Sequence, residues 1–357
     1  MAASDWKVIG ASGFVGSSIV ARLRAEGIDA DPIEAPRLAT HQKDPNALIR
    51  DARKLEGIID SLADSLAGAE VVINASGLAA PNQQDIAPLL GANALLPTVI
   101  AIAAQRTGVK RYIHLSSAAV QGSQRVLNSS PRTKPFSAYS FSKALGEDAL
   151  LRIADFVEET AAAGVAPGSA KSSFPAAPSF SPASVPAHHA LEICIIRATS
   201  VQGAGRRTTE AFAKFASSPL ASVAGNGSAK SPVSSSYALA EFVSSVGQFK
   251  GDLPRIVVQP WEGSSTASVL IDAGRRRPLQ LPRFVCQAAI KAGYIVSEAL
   301  NDRFQGPVRR AEVMWFGQDI DDTWARSHGL VPEPRVQEVL RMAHSSLGKK
   351  SDQKYAS

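Results

Sequence analysis

Three stretches of this 357-residue chain combine residue types with spacings that chemistry can use. The first is Gly10-Ala-Ser12-Gly13-Phe14-Val15-Gly16. It follows the short apolar run Lys7-Val8-Ile9 and leads into apolar residues at Val15, Ile19, Val20 and Leu23, the spacing of a helix. Glycines at a strand-to-helix turn permit a tight bend and bring backbone N–H groups up to a pyrophosphate at the helix N-terminus. The spacing is not the usual Gly-x-Gly-x-x-Gly, so the strand–turn–helix context carries the reading of a dinucleotide site. The second stretch is Tyr139-Ser-Phe-Ser-Lys143, whose first and last residues share one helix face. An ammonium beside a phenol favours the phenolate, which predicts a lowered Tyr139 pKa and a general acid/base for an alcohol–ketone pair. The third is Ser117, 22 residues upstream of Tyr139, just past an apolar strand. Ligands of parallel sheets sit at such strand ends, and this hydroxyl would hold the same substrate oxygen.

The second strand of the sheet, read at residues 30–34, closes on Glu34, 18 residues after Gly16. An acidic ribose ligand is expected about 20 residues on. A carboxylate there accepts from the ribose hydroxyls and repels a 2′-phosphate, which predicts NAD. Arg37 suits that phosphate instead, so NADP stays open.

Holding these groups together requires a sheet. The β-branched triplet Val71-Val72-Ile73 reads as a buried parallel strand, and Arg111 to Ser116 and Leu191 to Arg197 as two more. Phe14 to Glu26, Ala87 to Thr107 (interrupted by Pro97) and Ala138 to Ala163 read as helices. Such alternation predicts an α/β fold with a doubly wound parallel sheet. After Arg197 a smaller mixed part follows, with helices expected at residues 208–216, 237–249, 283–300 and 334–345 and a short strand near Arg255. The expected organisation is a nucleotide-binding domain over residues 1–200, a substrate-binding part over 201–345 and a disordered tail over 346–357. Residues 161–189, rich in Pro, Ala and Ser, read as a flexible insertion.

Composition narrows the partners. Hydrophobic residues are 45% and charged residues 20%, enough apolar material for a core and too little charge for wholesale disorder. Lys plus Arg is 38 and Asp plus Glu is 32, a net charge of +6 without a basic stripe carrying aromatics, so no nucleic-acid partner is expected. The densest run, Arg275-Arg276-Arg277, reads as a solvated turn before Pro278. Cys194 and Cys286 cannot form a multi-bridge framework, and His188-His189 lacks the further ligands a metal needs, so no metal is expected. The N-terminus carries no signal-peptide h-region, and no run of about 18 apolar residues is read. A soluble cytoplasmic protein with no membrane partner is the expectation.

The chain resembles the extended short-chain dehydrogenase/reductase superfamily, within it the NAD-dependent epimerase/dehydratase family. The resemblance is carried by Gly10, Gly13 and Gly16; by Asn74-Ala75-Ser76-Gly77 after the buried strand; by Asn93; by Ser117-Ala-Ala-Val-Gln-Gly122; and by Tyr139 with Lys143. Arg197-Ala-Thr-Ser-Val-Gln-Gly203-Ala-Gly205 resembles a later family segment, and Thr323 to Pro332 its closing helix and turn. It implies a Rossmann-type domain with NAD or NADP in a cleft lined by Phe14, Val15, Ala75, Ser76, Gly77 and Asn93. Tyr139 is implied as catalytic acid/base, Lys143 as the nicotinamide-ribose ligand, Ser117 as the residue orienting the reacting oxygen, and Asp51 as an adenine neighbour. The helices at about 87–107 and 138–163 occupy positions that pair across a homodimer in the family.

Departures from the family pattern concern the substrate. Family dehydratases carry an acidic pair where this chain has Ala118 and Ala119, which argues against a sugar 4,6-dehydratase. Ser200 replaces a frequent Asn, and Ser231 replaces an Arg that meets the substrate diphosphate, with Lys230 an imperfect substitute. Gln121 and Gln202 replace two frequent tyrosines. The expectation is an NAD(P)-dependent epimerase or oxidoreductase acting on a hydroxyl–ketone centre, with a nucleotide sugar as small-molecule substrate. The alternatives are a reductase of a non-nucleotide ketone or aldehyde and a cofactor-sensing protein without catalysis.

Overall fold

The short apolar runs become one six-stranded sheet. The computed structural model describes residues 5–79, 85–162, 190–300 and 304–355. Its sheet contains β1 (Trp6–Ile9), β2 (Ala30–Ile33), β3 (Val71–Asn74), β4 (Arg111–Ser117), β5 (Glu192–Ala198) and β6 (Ile256–Val258), in the order β6-β5-β4-β3-β1-β2. The β1–β2, β1–β3 and β3–β4 pairs are parallel. All four residues of β3 are buried, as expected of a central parallel strand covered on both faces. The parallel α/β expectation therefore holds.

The chain divides into two compact units that interleave in sequence. One comprises residues 1–116, 141–196 and 247–256; the other comprises 117–140, 197–246 and 257–357. The chain passes between these two units five times. In the first unit, α1 (Phe14–Ala25) follows the glycine turn, and α2 (Pro45–Arg53) starts at Asp44, whose carboxylate accepts from Ala47 N at 2.7 Å. The helices α3 (Glu56–Leu66), α4 (Ala87–Arg106) and α5 (Ala138–Ala162) complete its layers. Side chains of α2 to α5 and of the strands share one core, with Leu48, Leu62, Val99, Ile100, Tyr112 and Ile195 among its buried members.

The helix α4 corrects one expectation: it is long and apolar enough to span a bilayer by composition, with a mean hydropathy of 1.7. Most of it is buried within its own unit, and a helix packed on all sides is apolar on all sides. A π-helical segment at Gly91–Leu95 precedes Pro97, which has no N–H to donate to the preceding turn.

The second unit packs α6 (Arg207–Ala216), α8 (Thr266–Gly274) and α11 (Val336–Tyr355) around Ala213, Val223, Leu270, Val336 and Leu340. The helix α7 (Ser236–Gln248) and the helical pair α9 (Arg283–Ala299) and α10 (Gln305–Phe316) complete it. Residues 346–355, expected as part of a disordered tail, continue α11, where Leu347 packs against the same cluster as the buried Val336, Leu340 and Ala343. Residues 163–189, where a flexible insertion is expected, lie outside the described residues; Ala161 and Ala162 close α5.

Candidate active site

In the first unit the glycine turn is built by close approach. Gly10 has φ +80°, and a Cβ there would lie 2.6 Å from Ser76 N. A Cβ on Gly16 would lie 2.1 Å from Gly10 O, so only glycine lets α1 fold back onto the turn. Gly13 forms the helix N-cap, its N–H donating to Gly10 O at 3.0 Å, and no side chain caps the first turn. Ser12 and Gly13 are exposed, while Phe14 and Val15 are half-buried. A helix N-terminus of this form suits an anion.

After β3 the chain passes Ala75, Ser76 and Gly77. A Cβ on Gly77 would sit 2.8 Å from Asn93 Oδ1 and 3.0 Å from Lys143 Nζ. The first unit therefore brings Gly10, Ser76, Gly77, Asn93 and Lys143 to one place. Asn93 is fully buried: it accepts from Leu78 N at 3.0 Å and donates to Leu78 O and Ser142 Oγ, both at 2.9 Å. Its role is to clamp the loop after β3 onto α5. Lys143 donates to Leu115 O at 2.8 Å, and burial brings its ammonium down to about 8.

Beneath this cradle lies a polar network that the sequence reading did not assign. Asn74 Oδ1 accepts from Ser76 N at 3.0 Å and from the Ser76 hydroxyl. Its Nδ2 donates to Tyr112 Oη at 3.1 Å and lies 3.2 Å from His114 Nδ1. With both Asn74 hydrogens directed outwards, Nδ1 accepts, and His114 is the neutral tautomer protonated at Nε2. Burial and the Lys143 charge hold its pKa well below the usual histidine value. The signal was present: Asn74 ends the apolar strand β3 and His114 sits in the middle of β4, places where an unpaired polar group is costly.

In the second unit, Ser117 closes β4 and caps the short helical turn Ala118–Gln121, accepting from Ala119 N at 3.2 Å. Tyr139, the second residue of α5, hydrogen-bonds the Ser117 hydroxyl and faces the Arg206 guanidinium. Its phenol is raised from its ordinary value, contrary to the expected lowering: burial outweighs the opposing pull of Ser117 and Arg206. Arg206 escaped the sequence reading. Its place directly after Gly203-Ala-Gly205 was the available signal, and its Nη1 also donates to Val201 O.

The departures from the family pattern have structural occupations. Gln121 is buried and exchanges two 2.8 Å hydrogen bonds with Asn128. Gln202 accepts from Thr209 Oγ1 at 2.9 Å. Buried Arg197 donates to Asn128 O and Ser130 O at 2.8 and 2.7 Å. Lys230 stacks over the Trp261 ring at 5.0 Å from its centroid, and Ser231 is buried. Glu34 follows β2 and is exposed, as is Arg37. Asp51 pairs with Lys54 at 2.9 Å.

The strand order, with the glycine turn at the first strand's end, defines a Rossmann-type α/β fold. Residues 6–170 match the sequence model of the NAD dependent epimerase/dehydratase family. No curated protein matches. Among solved structures, it is similar to MoeE5 in complex with UDP-glucuronic acid and NAD, at 17% identity over 96% of this chain and 99% of that one, TM-score 0.58. It is also similar to UDP-glucuronic acid 4-epimerase from Bacillus cereus in complex with NAD, at 13% identity over 95% and 94%, TM-score 0.58. A third likeness is to gox2253, at 14% identity over 97% and 98%, TM-score 0.62. At these identities the likeness shows a shared fold along nearly the whole chain.

Proposed function

We propose that the protein is an NAD-dependent epimerase or oxidoreductase acting on a hydroxyl–ketone centre of a nucleotide-activated sugar. The observation that carries this reading is the Ser117–Tyr139 hydrogen bond beside Arg206, on a helix that carries Lys143 one turn later. The cradle at Gly10, Gly16 and Gly77, where a Cβ would meet neighbouring atoms, fits a cofactor that lies against bare backbone. When bound, NAD supplies the hydride acceptor and donor. The first-turn N–H groups of α1 hold the pyrophosphate, Glu34 accepts from the adenosine ribose, and Lys143 donates to the nicotinamide ribose. Ser117 orients the reacting oxygen. Tyr139 Oη takes the hydroxyl proton as the carbonyl forms and returns it on reduction, and the Arg206 charge favours the phenolate.

Expected consequences are direct. Tyr139→Phe removes the proton relay and lowers kcat by about 10²–10⁴-fold, the usual range for losing a general acid/base, while NAD binding is retained. Full turnover by Tyr139→Phe would overturn the assignment. A second reading, a reductase of a non-nucleotide ketone or aldehyde, draws on Lys230, whose ammonium is engaged with Trp261 where a diphosphate ligand is wanted. Stabilisation by nucleotide sugars separates the two, since the second reading expects none. The reading places the protein in the cytoplasm. A homodimer belongs to it only through α5, because α4 is buried in its own unit along most of its length. A monomer in sedimentation at micromolar concentration removes that dimer.

A further inference from the structure

The helix α9 has two apolar sides. Cys286, Ile290 and Ser297 are buried, and a Cβ on Gly293 would lie 3.0 Å from Val308 Cγ2 of α10. This side docks the helix on its own unit, secured by Tyr294 Oη donating to Glu312 at 2.6 Å and Arg309 to the same carboxylate at 2.8 Å. The other side is exposed. Phe284 is 72% accessible, Ile295 67% and Val296 53%, with Val285, Ala288 and Ala289 also exposed. At 100° per residue these six side chains fall within an arc of about 140°. They form a continuous stripe rather than scattered exceptions. Of the twelve large hydrophobic side chains exposed among the described residues, seven lie between Leu279 and Phe304.

Charge concentrates on the same segment. Residues 275–310 hold eight Lys or Arg and two Asp or Glu, a net +6 equal to that of the whole chain. The other residues balance, with 30 of each sign. Arg275, Arg276, Arg277, Lys291 and Arg310 are exposed. The arginine triplet enters the segment from the C-cap of α8, where Arg275 adopts φ +55°.

We infer that α9 is a peripheral docking surface for a membrane bearing anionic headgroups, with its apolar stripe in the headgroup–acyl boundary and the surrounding cations on the phosphates. An in-plane amphipathic helix with a basic surround binds in this way, and each Arg near an anionic surface raises affinity about fivefold. A second copy of the chain fits less well. A twofold interface sets a patch against itself, so it would bring two +6 segments together. The inference departs from the expectation of no membrane partner, because the absence of a spanning segment says nothing about attachment from one side.

The experiment is flotation of the full chain with vesicles of phosphatidylcholine alone and with about 30% phosphatidylglycerol, at about 0.1 and 0.5 M NaCl. Binding to the anionic vesicles, weakened several-fold by salt, is expected. The F284E/I295E double variant should lose at least tenfold in partition, and the R275A/R276A/R277A variant should lose its salt-sensitive part. Both should keep the wild-type melting temperature and its shift with NAD, since these side chains face solvent. Absence of binding to anionic vesicles by wild-type chain overturns the proposal. So does a self-associating chain, seen by sedimentation without lipid, that F284E/I295E converts to monomer, because the stripe then serves a second copy.

Discussion

Lys143 donates to one carbonyl, Leu115 O, in a place where its charge is fully desolvated. The depressed pKa of about 8 means that the folded chain binds fewer protons at this site than the unfolded chain between pH 8 and about 10.4. Stability rises with pH wherever the unfolded state holds more protons, so this site weakens the fold below pH 8 and stops doing so as pH climbs through that window. Lys143→Met is therefore expected to stabilise the cofactor-free protein at pH 7 by an amount on the order of 1–3 kcal/mol, with the advantage shrinking towards pH 10. Urea denaturation of both chains at pH 7 and 9.5 measures it. An advantage that stays constant with pH would refute the buried-charge account. A site that holds a charge at such cost suits a residue kept for a ligand rather than for stability. The type and spacing of Ser117, Tyr139 and Lys143 were legible in the sequence. The direction of the Tyr139 shift was not, because desolvation depends on what packs around the ring.

At the scale of elements, the turn between β1 and α1 depends on backbone touching backbone. Gly16→Ala would drive a methyl group to 2.1 Å from Gly10 O, and neither carbonyl nor helix can yield cheaply. A loss of about 2–4 kcal/mol in unfolding free energy is expected, together with loss of the thermal shift that NAD gives the wild type. A variant that melts like wild type and still responds to NAD would show that the turn has slack. The strands were readable from their apolar runs, and α5 from its periodicity. The helices α2 and α3 were not read at all, although Asp44 before Pro45 and the apolar residues Leu48, Ile49 and Ala52 mark the first of them. The short strand pairs Ser200–Gln202 with Val233–Ser235 and Ser222–Ala224 with Leu279–Leu281 also went unread. Three residues carry too little periodicity to announce a strand.

Across the whole molecule, ligand binding is expected to appear as stability. A ligand bound only by the folded chain stabilises it by about 2.7 kcal/mol at a hundredfold excess over its dissociation constant. NAD is expected to raise the melting temperature by several degrees at such excess, with NADP giving less because Glu34 opposes a 2′-phosphate. A shift with NADP alone would reverse the reading of Glu34 and favour Arg37. The +6 charge equals the net charge of residues 275–310, and the remainder of the chain balances. Residue order and composition together held that fact; the exposure of the α9 stripe beside it came only with the fold.

The sequence by itself determined the class of fold, the glycine turn after the first strand and the residue types proposed for proton transfer. These are local properties: a glycine where backbone must pass, an alternation of apolar runs, a tyrosine four residues before a lysine. The tertiary structure decided what depends on residues far apart in the chain. It set Arg206 beside Tyr139, brought Gly77 against Lys143, buried the apolar α4 and left the apolar face of α9 bare. A run of apolar residues states only that burial would be favourable; whether another surface arrives to supply it is settled by packing.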